Sequence, residues 1–409
     1  MDKIGVKKSL NISKNIVNKI LLLSIMIFGF GFFDLNLIST TIANGFVLFS
    51  ILIIIFGVLL TRKSKLRYNF KKLIYLFAIG ILINFIMMYF YNKLSLYDSL
   101  FVLLNYLGLL LYFFLHKFKF SEKSIINIVF IIALIVSFLM ILQQIVKPIP
   151  LFNQLALHIG YLNQRGTARV RIPGMALVVF SYLLYMYYYI KSFKIKYLIF
   201  CLFFAIIIIM QGFRSITLAL ILCSVYIYWY SSQGKYKISV KKIISFSILI
   251  VIFFIFFMQI DYVRNIIVEM FLQVNQDKKI GDNNVRVFSF IYYLITIKQE
   301  FWMYFTGNGL KIPFKTPKGL FAVDLGIFGF FALAGIIPVY ALLKSFIKGV
   351  LLSKKLKYLV PSAFFLYILL NSFLFNAEAF RTGIFLVYSI SFYLIDLQMD
   401  KLYKDNLTI

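Results

Sequence analysis

Nine arginines and 34 lysines are divided unequally along this chain. Seven of the arginines, Arg165, Arg169, Arg171, Arg214, Arg264, Arg286 and Arg381, fall outside the Lys-rich loops. A guanidinium is a planar fork of donors matched to phosphate or carboxylate, whereas an ammonium is a point charge. The chemistry these residues offer is anion binding, with phosphate the first candidate. Three of them crowd into Arg165-Gly-Thr-Ala-Arg169-Val-Arg171, which runs through Ile-Pro to Gly174. Beside glycines, such a cluster can cradle a diphosphate; the alternative is a set of anchors snorkelling at a helix end. Arg214 stands in the hairpin tip Gln211-Gly212-Phe213-Arg214-Ser215 between two apolar runs. Almost no loop is there to solvate it, so it needs a partner, either a ligand or a carboxylate such as Glu378.

Proton chemistry has fewer candidates. The chain has two histidines. His116 ends an apolar run and reads as a bland helix-end residue, while His158 precedes the arginine cluster and could act as a base. Glu378 lies between Asn376 and Arg381 in a short turn. It is the first choice for a catalytic or arginine-orienting carboxylate, the alternative being a polar helix end. No His/Cys grouping has metal-ligand spacing, and no glycine-rich loop ends in Lys-Ser or Lys-Thr. The expectation is therefore no metal, no cofactor and no direct use of ATP.

The elements that must position these residues are membrane helices. The chain is 62% hydrophobic and 14% charged, with 48 Phe and 28 Tyr. That composition excludes a soluble domain and predicts an all-α, polytopic integral membrane protein. About twelve transmembrane helices are expected, near 20–38, 42–60, 73–91, 98–115, 124–146, 172–190, 197–212, 215–231, 243–260, 320–343, 357–375 and 380–396. The first run lacks a small-residue cleavage site and reads as a span. The loops 61–72, 116–123, 191–196, 232–242 and 344–356 and both termini are Lys-rich, and the alternate loops are not. By the positive-inside rule both termini face the cytoplasm, and the seven arginines face outward. The whole chain, 1–409, forms one transmembrane domain with a smaller outer loop, 147–171, and a long one, 261–319. Helices lying in the interface or packed on the bundle are expected within the long loop, around Arg264–Asn275 and Val285–Phe305. The break Gly307-Asn308-Gly309 follows. A formal charge of +29 does not imply nucleic acid, because its lysines lie in short loops where they set topology and meet anionic lipid. Cys201 and Cys223 lie inside apolar runs and read as packing residues.

Order and topology together resemble a known family. A tight hairpin with a Gly-x-Arg-Ser tip (Gly212 to Ser215) precedes a long outer loop. That loop carries Arg286, Trp302 and Gly307-Asn308-Gly309. Asp324-Leu-Gly326-Ile-Phe-Gly329 then enters the next span. Over roughly 147–345 this pattern is similar to the O-antigen polymerase and ligase superfamily. The resemblance implies a metal-independent membrane bundle of the glycosyltransferase C-like class. It implies undecaprenyl-diphosphate-linked glycan as donor and acceptor, at the outer face of a bacterial cytoplasmic (inner) membrane. It places the family's hairpin arginine on Arg214, its long-loop arginine on Arg286, and its upstream arginine on Arg171 or Arg169. Expected roles are then catalysis by Glu378, Arg214 and Arg286, and substrate binding by Arg165, Arg169, Arg171, Arg381 and His158. Membrane lipid is an expected partner, and the family leaves room for a chain-length regulator.

There are departures. Ligases of the superfamily usually carry a His in the long loop, where this chain has Lys311, Lys315 and Lys318. An Arg-x10-Gly spacing is also missing, since Phe180 and Ile297 occupy the places that follow Arg169 and Arg286. The expected activity is polymerisation of lipid-linked repeat units into a surface polysaccharide: O-antigen, capsule or exopolysaccharide. A glycan ligase and a lipid-linked oligosaccharide flippase are the alternatives. A flippase needs charge lining a central cavity, and here the span interiors are nearly uncharged.

Overall fold

The computed structural model describes residues 2–35, 37–60, 68–146, 149–152, 172–211, 214–232, 302–310, 325–373 and 383–407, with the backbone alone at 2–15, 214, 232 and 406–407. Among them the structure is helical, with one isolated bridge between Leu35 and Phe152. In chain order the helices are α1 (Asp2–Gly29), α2 (Thr40–Leu60), α3 (Lys71–Ile86), α4 (Leu96–Leu107), α5 (Leu111–Phe118), α6 (Glu122–Ile145), α7 (Met175–Ser192) and α8 (Ile195–Ile209). There follow α9 (Arg214–Ser232), α10 (Met303–Thr306), α11 (Ile327–Ala334), α12 (Ile336–Lys355), α13 (Leu359–Phe373) and α14 (Ile384–Leu407). A π-turn, Met87–Tyr91, prolongs α3, and a 3-10 turn, Gly108–Leu110, joins α4 to α5.

Among the described residues, five helical stretches are long and apolar enough to cross a bilayer: Thr40–Leu60, Lys71–Tyr91, Leu96–Phe118, Glu122–Ile145 and Ile336–Lys355. At 1.5 Å rise per residue, about 20 residues cover a hydrocarbon core of roughly 30 Å. The burial pattern is that of a protein in lipid. On α3 the stripe Tyr75, Ile79, Leu82 and Ile86 recurs at helical spacing and faces outward. In water that stripe would face the core. Helix α14 is apolar all round and buried all round from Ile384 to Ile395, so it threads the middle of the bundle. Around it pack α5, α12 and α13, with α7 and α6 on another side. Helix α9 lies against α7 and α13, and α12 lies against α3.

Local signals account for several boundaries. Ser95 Oγ accepts the Asp98 N–H at the start of α4, and Ser121 Oγ accepts the Ser124 N–H at the start of α6. One expected element is corrected. The run 320–343 was expected to be a single span, with a loop at 344–356. Instead α11 ends at Ala334, and α12 continues as one helix through Lys355. Hydropathy is continuous across the join, but Gly335 adopts φ +79° and starts a new helix axis.

That break would strand the last carbonyls of α11 in apolar surroundings. They are instead capped. Asn308 N–H donates to Ala332 O at 2.9 Å, and Gly309 N–H donates to Leu333 O at 3.0 Å. The buried amide of Asn84, on α3, donates to Ala334 O at 2.7 Å and to Thr306 O at 2.5 Å. Asn92 donates to Asn308 O at 2.7 Å. The backbones approach so closely that a Cβ on Gly307 would strike Leu333 O, and one on Gly335 would strike Phe305 O. The Gly307-Asn308-Gly309 break expected from sequence is thus half of a backbone knot.

Candidate functional site

Most residues expected to form the site lie outside the described residues. His158, Arg165, Arg169 and Arg171 fall in 153–171, Arg286 falls in 233–301, and Glu378 and Arg381 fall in 374–382. Arg264, the expected helix Arg264–Asn275 and most of the expected helix Val285–Phe305 also fall in 233–301, and the end of the latter is described as Trp302 and the start of the short helix α10. Arg214 is placed by its backbone, as the first residue of α9. The described bundle nevertheless fixes where the flanks of these segments stand.

Three contacts set the register of the helices involved. Tyr182 on α7 and Ser224 on α9 share a hydrogen bond of 2.8 Å. Tyr226 on α9 donates to Ser362 Oγ on α13 at 3.1 Å. The rings of Phe180 on α7 and Phe364 on α13 stand 5.5 Å apart. Ile172 precedes Tyr182 by ten residues, and Arg214 precedes Ser224 by ten. On the antiparallel helix α13, Phe373 follows Ser362 by eleven residues. With a rise of 1.5 Å per residue, Met175 at the start of α7, Arg214 and Phe373 therefore lie within about one turn of a common level, and Ile172 stands three residues before Met175.

Further contacts tie the other flanks to the same end. Gly174 packs on Phe32 and Val136, and Gly383 packs on Phe30 so closely that a Cβ would overlap its ring. The turn after α1 thus touches the chain just after the arginine cluster and just after Arg381. Gly326 packs on the Ser372 carbonyl, again leaving no room for a Cβ. Gln144 at the end of α6 donates to Met210 O at 3.1 Å, which braces the start of the Arg214 hairpin. Gln143 binds both Ile149 O and the Leu151 N–H.

Gln211 differs from those two glutamines. Its side chain is buried, and neither its Nε2 nor its Oε1 has a hydrogen-bond partner. Leaving each buried polar atom unpaired costs about 1–3 kcal/mol. It stands three residues before Arg214.

A second polar group lies at the opposite end of the bundle, and sequence reasoning passed over it. His116 is fully buried, and its Nε2–H donates to Asp396 Oδ2 at 3.1 Å. Tyr112 O–H donates to the same oxygen at 2.5 Å, and Asn69 Nδ2 donates to Oδ1 at 2.7 Å. Lys348 reaches the Asn69 carbonyl at 2.5 Å, and the Tyr68 ring stacks on His116 at 4.3 Å between centroids. The cluster joins α5, α12, α14 and the chain before α3. The reading of His116 as a bland helix-end residue is therefore corrected: burial beside a carboxylate makes it a clamp. The signal was Tyr112 and His116 at i, i+4 on one helix face, with an acid closing the last apolar run.

Cys201 and Cys223 are buried and free, in keeping with packing roles. No protein-family model matches the chain, and no curated protein matches it.

Proposed function

We propose that this chain is a polysaccharide polymerase: a metal-independent membrane glycosyltransferase that joins undecaprenyl-diphosphate-linked repeat units. The observation that carries the reading is the shared level of Met175, Arg214 and Phe373, with Gly383 on the adjoining turn. The segments bearing Arg171, Arg214, Glu378 and Arg381 all leave the helices at that end. Lysines support the orientation. Among the described residues, Lys93 is alone at that end, while Lys71, Lys72, Lys117, Lys123, Lys194, Lys196, Lys354, Lys355 and Lys401 lie toward the Asp396 end. With the Asp396 end in the cytoplasm, about twelve spans and both termini inside, the arginines meet substrate at the outer face.

The reaction breaks the bond between the donor's anomeric carbon and diphosphate, and forms one between that carbon and an acceptor hydroxyl oxygen. The diphosphate leaves with the bonding electron pair. Two or three arginines neutralise the charge that develops there, which lowers the barrier without a metal. Arg214 and Arg286 take that role, with Arg165, Arg169, Arg171 and Arg381 holding the lipid diphosphates. Glu378 accepts the proton of the acceptor hydroxyl, with His158 as the second candidate. The apolar outer faces of the helices accommodate the polyprenyl chain.

The test is the lipid-linked glycan profile of cells lacking the protein. Single repeat units at the outer face are expected. Long, unligated chains would assign a ligase instead, and retention of repeat units in the inner leaflet would assign a flippase.

A further inference from the structure

Lysines surround the Asp396 end of the bundle, and several serve the protein itself. Lys348 holds the Asn69 carbonyl, Lys354 the Tyr230 hydroxyl and Lys401 the Glu122 carboxylate. The corner where α6, α7 and α8 meet is different. Lys123 in the first turn of α6, Lys191 in the last turn of α7, and Lys194 and Lys196 at the start of α8 are all exposed. The acid of that corner, Glu122, is engaged by Lys401 and Gln398. Among the described residues the ion pairs are His116–Asp396 and Lys401–Glu122, so no described carboxylate holds any of the four lysines.

Half-buried rings from the same three helices gather just inside the corner. Phe130 of α6 stands 5.2 Å from Tyr185 of α7 and 5.0 Å from Phe200 of α8, and Tyr188 stands 5.5 Å from Tyr197. Lys123 precedes Phe130 by seven residues, Lys196 precedes Phe200 by four, and Lys191 follows Tyr188 by three. Each spacing keeps the lysine on the face of its ring and sets it about 5–10 Å nearer the helix end. Level with the rings and beyond them, Ile199 on α8 and Ile131 and Ile135 on α6 are exposed. Cations, then phenol-bearing rings, then bare aliphatic surface therefore follow one another along a single line into the membrane.

That order is the complement of a phospholipid, whose phosphate, ester region and acyl chains follow in the same sequence. We propose that the α6–α7–α8 corner is a binding site for an anionic phospholipid of the leaflet at the Asp396 end. Lys123, Lys194 and Lys196 hold its phosphate, with Lys191 at the rim. Tyr188 and Tyr197 supply hydroxyls at the depth of the ester oxygens. The acyl chains lie on Ile131, Ile135 and Ile199. An acidic protein segment fits less well: Ile195, between Lys194 and Lys196, is 62% exposed, so cationic and apolar surface are interleaved there. A lipid covers both. The inference does not depend on the polymerase reading, because the site stands at the other end of the bundle from Arg214.

The test melts the full-length purified protein in neutral-detergent micelles carrying phosphatidylglycerol, or phosphatidylcholine with the same acyl chains. Phosphatidylglycerol should raise the melting temperature saturably, and less so at high salt; phosphatidylcholine should not. In Lys123→Gln/Lys194→Gln/Lys196→Gln the apparent affinity for phosphatidylglycerol should fall about a hundredfold, at roughly fivefold for each lysine near an anionic surface. Lys71→Gln/Lys72→Gln/Lys355→Gln removes the same charge from the α3–α12 side and should leave that affinity nearly unchanged. Equal loss in the two triple variants overturns the proposal in favour of a diffuse basic surface. Equal response to the two lipids overturns it in favour of apolar contact alone. An equal rise with inorganic phosphate would assign the corner to a small anion, and one with polyglutamate to an acidic protein; either result also overturns it. Should the first triple variant not fold, Lys194→Gln/Lys196→Gln read against Lys71→Gln/Lys72→Gln decides in the same way.

Discussion

The two ends of the bundle spend their polar residues differently. At the Asp396 end a buried carboxylate accepts from Tyr112, His116 and Asn69, and Lys348 secures Asn69 in turn. Four parts of the chain are locked together there, and His116 Nδ1 is the one side-chain nitrogen of the cluster without a partner. At the Arg214 end α11 breaks from α12 at Gly335. Asparagines staple bare backbone, glycines permit contacts that a Cβ would forbid, and the Gln211 amide is left unpaired. A closed network fixes a fold. An open one keeps polar groups for something else. The difference fits the proposed division of labour, in which the Asp396 end holds the bundle and the Arg214 end binds substrate.

The largest expected effect tests the open end. Arg214→Ala and Arg214→Lys should both abolish long-chain product at normal protein levels, because lysine keeps the charge and loses the planar fork. The readout is the chain-length ladder beside membrane abundance. Normal ladders in the lysine variant would reduce Arg214 to a point charge and weaken the contrast between the ends.

The next effect tests the closed end. Asp396→Ala removes the acceptor from buried Tyr112 and His116 and from half-buried Asn69. Each buried donor left unpaired costs about 1–3 kcal/mol. A lower melting temperature and lower abundance are expected, with normal product length per folded molecule. If the ladder shortens while stability holds, the Asp396 end is not merely a clamp.

Asn84→Ala sharpens the comparison from within the bundle. It leaves Thr306 O and Ala334 O without their amide donor, at a cost of about 1–3 kcal/mol. Because the knot supports the chain next to segments proposed to face outward, product length should fall along with the melting temperature. Asn84→Asp, which withdraws the donor but keeps the shape, should do the same. Loss of stability with an unchanged ladder would make the knot structural only.

Sequence patterns reveal these two ends unequally. Apolar runs mark the helices, since a span needs a fixed length of chain; α2, α3 and α6 fall where hydropathy puts them. The break at Gly335 is hidden because Phe331, Ala332, Leu333 and Ala334 continue smoothly into Ile336 and Ile337. Only the contact with Gly307 shows why a glycine stands there. Asp396 and His116 are 280 residues apart, so their pairing is invisible to any local pattern. Of the candidate site, residue type picks out the arginines and hydropathy the hairpin as candidates, and the shared level of Met175, Arg214 and Phe373 emerges only from contacts between helices. The unpaired state of Gln211 has no sequence signature at all, because an amide between Met210 and Gly212 looks like any other polar turn residue.

The smallest expected effect separates the buried clamp from the charge around it. Lys401 lies 2.6 Å from Glu122 Oε2, and Gln398 donates to the same oxygen at 2.9 Å. These contacts link α14 to α6 beside the Asp396 cluster, so they look like part of the clamp. The side chain of Lys401 is 55% exposed, however, and that of Glu122 is 22% exposed. Water and salt screen such a pair, and holding a long side chain in one rotamer offsets part of the gain. Lys401→Ala should therefore shift stability by no more than about 0.5 kcal/mol and leave the ladder unchanged. Asp396→Ala and Lys401→Ala, measured side by side in one detergent, decide whether the clamp resides in the buried carboxylate. Equal losses would spread it over the whole helix end, and a negligible loss for Lys401→Ala would confine it to the cluster around Asp396.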